Sequence, residues 1–180
     1  KLRLSVISSL EPIITSHLND LGFDHCQFKI NCDFNVEKLS SKGADTITFM
    51  ISTNAGYNLK PIDQIASGGE LSRLLLAINS SFTSLEKTST LLFDEIDTGV
   101  GGIIANSIGE KLSIISKKQQ ILCITHLAQI AQFSDNHFFV SKTLENKKTY
   151  SYIKSLEPSQ RKQELHRMIG GDAIVDLIHA

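Results

Sequence analysis

Apolar residues recur along this chain in three rhythms. Leu2, Val6, Leu10, Ile13, Ile14, His17 and Leu21 favour one side of a helix, the spacing of a coil with about 3.6 residues per turn. Pro12 interrupts that helix, which either bends there or gives way to a second one, and Gly22 supplies a C-terminal stop. Phe28, Ile30, Cys32 and Phe34 then alternate with polar neighbours, as do Ile47, Phe49 and Ile51. These are two half-buried strands, joined by the polar loop Ser40-Ser41-Lys42-Gly43. Asn54-Ala55-Gly56 turns the chain, and Lys60-Pro61 leads to Ser67-Gly68-Gly69-Glu70. There a second helix opens, with Leu71, Leu74, Leu75, Ile78 and Phe82 at helical spacing.

After Ser84 short apolar runs alternate with helical ones. Thr90-Leu91-Leu92-Phe93 reads as a buried strand, and Ile104, Ile108, Leu112 and Ile115 as a helix. Residues Gln120 to Thr125 form a second buried strand, followed by a short helix with Leu127, Ile130 and Ala131. A strand around His137 to Ser141, an edge-type strand from Thr149 to Ser155 and helices around Gly170-Gly171 complete the chain. Strand, helix, strand with continuous apolar strands predicts an α/β fold with a parallel sheet covered on both faces.

The 180 residues, 41% hydrophobic and 21% charged, suit one domain with a sizeable core. A net charge of −1 gives no global electrostatic reason to expect nucleic acid or membrane. The basic pairs Lys117-Lys118, Lys147-Lys148 and Arg161-Lys162 read as solvated surface. Cys26, Cys32 and Cys123 form no C-x-x-C pair; Cys32 and Cys123 lie in strand-like runs and read as buried, reduced thiols. That pattern predicts a reducing, cytoplasmic setting. No apolar run approaches the length of a membrane span, and the first residues lack a signal-peptide pattern.

Three short stretches carry candidate chemistry. The first is the glycine pair. Each glycine costs about 0.8–1 kcal/mol against alanine in a helix interior and less in a first turn, so something besides helix stability accounts for it. Ser67 and Glu70 alone make a capping box, which works equally well with better helix formers between its ends. The alternative is an anion site, because glycine permits close approach and a helix start presents unpaired N–H donors and partial positive charge. The second stretch, Thr90 to Asp97, delivers Asp94 and Glu95 to the end of a strand, where open α/β sheets bind ligands. One carboxylate there can hold Mg²⁺ and the next can orient or deprotonate a water, although acidic residues also end strands with no further role. In the third, Ile121-Leu122-Cys123-Ile124-Thr125-His126, a buried strand ends at a histidine on the same sheet edge. His126 could donate a hydrogen bond to a terminal phosphate; His17, His25, His137, His166 and His179 read as structural.

In this order the pieces resemble the second half of an ABC-type ATPase head. Ser67-Gly68-Gly69-Glu70 resembles the signature motif, Leu91-Leu92-Phe93-Asp94-Glu95 resembles Walker B, Asp97 stands in the D-loop and His126 in the H-loop. Ser67 to Arg73, Phe93 to Gly99, Cys123 to Leu127 and Glu164 to Gly171 are similar to the RecN family of SMC-like bacterial DNA repair ATPases. Two positions depart from that pattern: Gly101-Gly102 stands where Ser-Gly is expected, and Ala128 where relatives tend to carry proline. The sequence also contains no G-x-x-x-x-G-K-[ST] loop to cradle β- and γ-phosphates.

The resemblance implies a division into residues 1–22, the end of a coiled-coil helix, and 23–180, the C-terminal lobe of the head. It implies ATP and Mg²⁺ as cofactors, with Asp94 on the metal, Glu95 as general base and His126 sensing the γ-phosphate. Ser67, Gly68, Gly69 and Glu70 would meet nucleotide held by a second head, and Asp97 would link the two sites. The implied partners are the N-terminal Walker A lobe of the same protein, a second head in a homodimer, and DNA, in a cytoplasmic, nucleoid-associated setting without a membrane. ATP would join the heads and its hydrolysis release them during double-strand break repair and recombination, while these 180 residues alone would be inactive. The rival readings are the head of another SMC-like or ABC ATPase, a non-hydrolysing dimerisation domain, and a metal-dependent nuclease using Asp94, Glu95 and Asp97.

Overall fold

The computed structural model describes residues 2–41, 43–54, 56–82, 90–145 and 147–170; Gly171, in the last of the motif stretches, lies outside them. Helix α1 (Leu2–Asp20) runs unbroken through Pro12, where a bend or a second helix was expected. Proline there removes only one i→i−4 bond, in a half of the helix that faces solvent: Leu2, Leu4 and Val6 are exposed. The stripe that packs is Ile7, Leu10, Ile14, Leu18 and Leu21, so Leu2, Val6 and Ile13 fall off the buried side. Leu21 to Phe23 then close α1 with backbone bonds back to Leu18 and Asn19, and Gly22 takes a φ of +84°.

Strands β1 (Gln27–Phe34) and β2 (Asp45–Ser52) pair antiparallel along eight matched positions, and β3 (Lys60–Pro61) joins β2's far side. Phe28, Ile30 and Ile51 are buried against the helices, and the Phe28 and Phe49 rings stack at 5.9 Å. Glu11 of α1 ties helix to strand, accepting the Ile30 backbone N–H at 2.8 Å while pairing with Lys29 at 2.9 Å. The alternation in β1 fades at its end: Cys32 is half-buried and Phe34 exposed. Cys26, just before the strand, is the cysteine that is fully buried.

Helix α2 (Gly68–Ser81) follows, then β4 (Thr90–Phe93), α3 (Gly102–Ser116), β5 (Gln120–Cys123) and the single-turn α4 (Ala128–Ala131). Strands β4 and β5 are parallel and in register, Phe93 opposite Cys123. Among the described residues parallel pairing is confined to these two strands. Strands β6 (Phe138–Glu145) and β7 (Lys148–Ser155) form a separate antiparallel hairpin, and α5 (Pro158–Met168) packs beside it and α4. The core joins Ile14, Leu18 and Leu21 to Leu74, Leu76, Phe93, Ile96, Ile108 and Leu112.

The β4–β5 pair is not covered on both faces. Leu91, Phe93, Ile121 and Cys123 point into the core, while Leu92, Leu122 and Ile124 on the other side are 66%, 48% and 58% exposed. Among the described residues the helices pack against one face only. No helix among the described residues is long and apolar enough to cross a membrane.

Candidate functional site at the parallel strand edge

The site is built where β4 and β5 end together. Ile124 donates its backbone N–H to Phe93 O at 2.9 Å, extending the ladder from the last residue of β4 to one residue beyond β5. Asp94-Glu95 and Thr125-His126 therefore leave the same edge side by side. The turn after β4 is cross-linked throughout. Asp94 Oδ1 accepts the Glu95 backbone N–H at 2.9 Å, and Ser72 of α2 donates its hydroxyl to Asp94 O at 2.7 Å. Arg73, one residue on, reaches under the turn to give Nη1–H bonds to Ile96 O at 3.3 Å and Thr98 O at 2.9 Å.

Arg73 is 8% exposed and its guanidinium stacks on Phe23, 5.5 Å from the ring centroid. Burial lowers its pKa from the usual arginine value, partly opposed by Glu70. A cation is desolvated here to fix two carbonyls of an acidic turn. Neither Ser72 nor Arg73 was singled out for a role from the sequence. The usable signal was a charged residue on the same helical side as Gly69 and Leu76, four before it and three after.

The turn forces Glu95 to a φ of +57°, a left-handed conformation uncommon for a residue with a side chain. That twist lays Glu95 over the start of α2. A Cβ at Gly68 would collide with Glu95 Oε2, and a Cβ at Gly69 would sit 3.0 Å from Glu95 O, 3.0 Å from Thr98 Cβ and 3.2 Å from Arg73 Nη1. At Gly69 the fit is tight against the backbone of the Glu95 turn, whereas at Gly68 only the movable Glu95 carboxylate stands in the way. Gly69 is buried and Gly68 exposed. The capping expectation is half met: Ser67 Oγ accepts the Glu70 backbone N–H at 3.4 Å, with no return bond from Glu70 among the described residues. The Glu95 carboxylate instead lies against this helix mouth, the polarity a helix N-terminus favours.

Asp97 is 5% exposed and faces the second strand end. Its Oδ2 accepts from Thr125 Oγ1 at 2.6 Å and the His126 backbone N–H at 2.8 Å, and the His126 ring lies alongside with Nδ1 2.9 Å from the same oxygen. The His126 ring itself is 74% exposed. Cys123 lies just beneath, and burial, with Asp97 and Asp94 adding to it, pushes its thiol up to about 12. It is a buried-type, unreactive thiol.

The geometry brings Ser67, Gly68 and Glu95 together, and separately Asp97 with His126. It does not gather Asp94, Glu95 and Asp97 into one cluster: among the described residues no three acidic, histidine or cysteine side chains converge to hold a metal ion. A nuclease-type carboxylate site is therefore absent from the described residues. Asp94 alone fits a Mg²⁺ that takes one protein carboxylate and fills its other positions with water and substrate phosphate, since Oδ1 is occupied by the Glu95 N–H and Oδ2 has no bond among the described residues.

At the two departures from the expected motif, Gly101 is the N-cap of α3 without a side-chain bond, where serine would supply one. Ala128 is the first residue of α4, a position that accepts proline or alanine alike.

The fold and this edge define the C-terminal lobe of an SMC-type head of the ABC ATPase class. The head domain of Smc from Pyrococcus yayanosii superposes with a TM-score of 0.63 at 18% identity, over 91% of this chain and 30% of that one. An SMC ATPase characterised for ATP-driven dimerization and DNA-stimulated activation superposes with a TM-score of 0.53 at 18% identity, over 93% of this chain and 95% of that one. No family model matches the chain. It is 44% identical over 140 residues to the DNA repair protein RecN of Bacillus subtilis, covering 78% of this chain and 24% of the relative. Against RecN of Vibrio cholerae it is 37% identical over 176 residues, 98% of this chain and 32% of the relative. The chain belongs to the RecN family. It spans a quarter to a third of the length of these curated relatives.

Proposed function

We propose that this chain is the C-terminal half of an ATPase head acting in DNA double-strand break repair and recombination, in which ATP bound between two heads joins them and hydrolysis releases them. The observation that carries the reading is the arrangement of one carboxylate and one histidine at adjoining parallel strand ends, with the start of α2 packed against that carboxylate. RecN relatives are DNA repair proteins, and an SMC neighbour of this fold dimerises with ATP.

In this reading Glu95 is the general base. Its strained backbone holds the carboxylate at the turn's surface, where it orients and deprotonates a water. Asp94 holds Mg²⁺, which supplies charge neutralisation for the phosphates when bound. His126 presents its exposed ring to the terminal phosphate. Ser67 and the exposed Gly68 meet a phosphate brought by the second head, beside Glu70; the buried Gly69 serves the fit of the turn. The chain contains no Walker A loop, so the phosphates must be cradled by an N-terminal lobe outside these residues. The bare faces of β4–β5 and β6–β7 are where that lobe packs, which also accounts for the apolar residues left in solvent. Residues 1–22 continue into a coiled coil through the exposed half of α1, while 23–180 form the lobe.

The test uses the full-length protein. Glu95→Gln keeps ATP binding, lowers turnover by roughly 10²-fold or more and accumulates ATP-dependent dimers in light scattering. Hydrolysis at the parent rate would remove Glu95 from the role of base. The 180-residue piece by itself shows no turnover above background.

A further inference from the structure

Glu95 is exposed, yet the backbone on both sides of it is fixed by two consecutive residues of α2. Its φ of +57° is a conformation that persists in a residue with a side chain only where the surroundings over-determine it. The peptide unit before it is held at both ends. Its carbonyl, Asp94 O, accepts the Ser72 hydroxyl at 2.7 Å, and its N–H, that of Glu95, goes to Asp94 Oδ1 at 2.9 Å. The unit after it is closed by the Thr98 N–H, which bonds Glu95 O at 3.0 Å. Beyond that, Arg73 Nη1 gives bonds to Ile96 O at 3.3 Å and Thr98 O at 2.9 Å.

Arg73 does this at a cost to the fold. Its Nε–H is buried without a partner among the described residues, and an unpaired buried donor is destabilising. Contact with Phe23 would be met as well by an apolar side chain, whereas bridging two carbonyls of one turn takes a flat, pre-organised donor group. Resting on the reading of Glu95 as general base, we infer that Ser72 and Arg73 are positioning residues that hold the Glu95 backbone in its left-handed turn and so aim its carboxylate at the water it deprotonates. Both act through Glu95: the Arg73 guanidinium is buried beneath the turn, and Ser72 Oγ is committed to Asp94 O. They stand one turn further along the helix that begins at Gly68. Helix α2 therefore carries the phosphate contact at its mouth and the reference for the carboxylate just behind it.

The test is a kinetic series on the full-length protein. Arg73→Met lowers kcat for ATP by roughly 10²-fold, the scale of a misplacement of about 1 Å, with KM changed less than about twofold. Arg73→Lys, which keeps a donor under the turn, and Ser72→Ala, which frees one carbonyl, each lose roughly tenfold. All three variants still form ATP-dependent dimers in light scattering, which a role in the fold alone would not leave intact. Added to Glu95→Gln, Arg73→Met costs nothing further, because it acts through that carboxylate. A loss expressed in KM overturns the inference, as does loss of the dimers in all three variants or a loss that adds to that of Glu95→Gln. Parent-rate turnover in Arg73→Met and Ser72→Ala beside an inactive Glu95→Gln removes the inference alone. Parent-rate turnover in Glu95→Gln removes the base reading and this inference with it.

Discussion

The two antiparallel pairs of this chain, β1–β2 and β6–β7, are matched in length and opposite in fate. Each aligns eight residues with eight, and each sets apolar side chains at alternate positions along one face. In β1–β2 the alternation is satisfied by helices of the same chain, and Phe28, Ile30 and Ile51 are 3%, 7% and 3% exposed. In β6–β7 one face carries Phe138, Val140, Leu144 and Ile153, all more than half exposed. Alternation makes a strand in both cases, but it does not supply the surface against which the strand packs. A face covered by the same chain and a face left bare have the same local signature.

Substitutions separate the two regions most sharply in the core. Leu74→Ala or Ile96→Ala, at fully buried positions, lowers unfolding free energy by about 3 kcal/mol in chemical denaturation. Ile153→Ala on the hairpin changes it by less than about 0.5 kcal/mol in these 180 residues and by clearly more in the full-length protein. Equal losses in both would mean that nothing further packs on the hairpin. Next in size is Arg73→Met, which strips the Ile96 and Thr98 carbonyls of their charged donor; about 2 kcal/mol is expected, with hydrogen exchange faster through residues 94–98. An unprotected turn in the parent protein would already contradict that.

Acid provides a smaller probe. Burial, reinforced by Lys111, lowers the pKa of His17 from 6.5, with Asp20 opposing in part, and burial with Arg161 lowers that of His137, opposed by Glu164. The folded chain therefore binds fewer protons than the unfolded one around pH 6. Stability is fully present above the ordinary histidine range and declines as pH falls below about 6.5. His17→Gln with His137→Gln should flatten that decline in thermal melts. An equal slope in the variant assigns it to other groups. The smallest effect is at Gly101, where serine at the N-cap adds a few tenths of a kcal/mol, measured as a shift in denaturation midpoint without a change in slope.

Much of the site was legible because its chemistry travels in contiguous residues. Asp94-Glu95 directly follows the Thr90–Phe93 run, and His126 follows Gln120 to Thr125, so finding two strands also places both ends on one edge. The glycine pair was legible as a need for close approach, but not as to what approaches. Its nearest neighbour proved to be Glu95, brought by a left-handed turn that no spacing rule announces. Asp97 was expected to link the two sites; the sequence did not announce that within the chain its carboxylate is held by Thr125 and His126, residues 28 and 29 positions away.

The order of chain elements, the parallel pair and the identity of the chemical groups at its edge were settled by the sequence alone, since each depends on residue type and short-range periodicity. Which carboxylate faces solvent and which turns inward, what approaches the glycine pair, and which apolar faces stay bare were decided only in three dimensions. Those properties depend on contacts between residues far apart in the chain, and a pattern of period two or 3.6 contains no record of what will lie across from it.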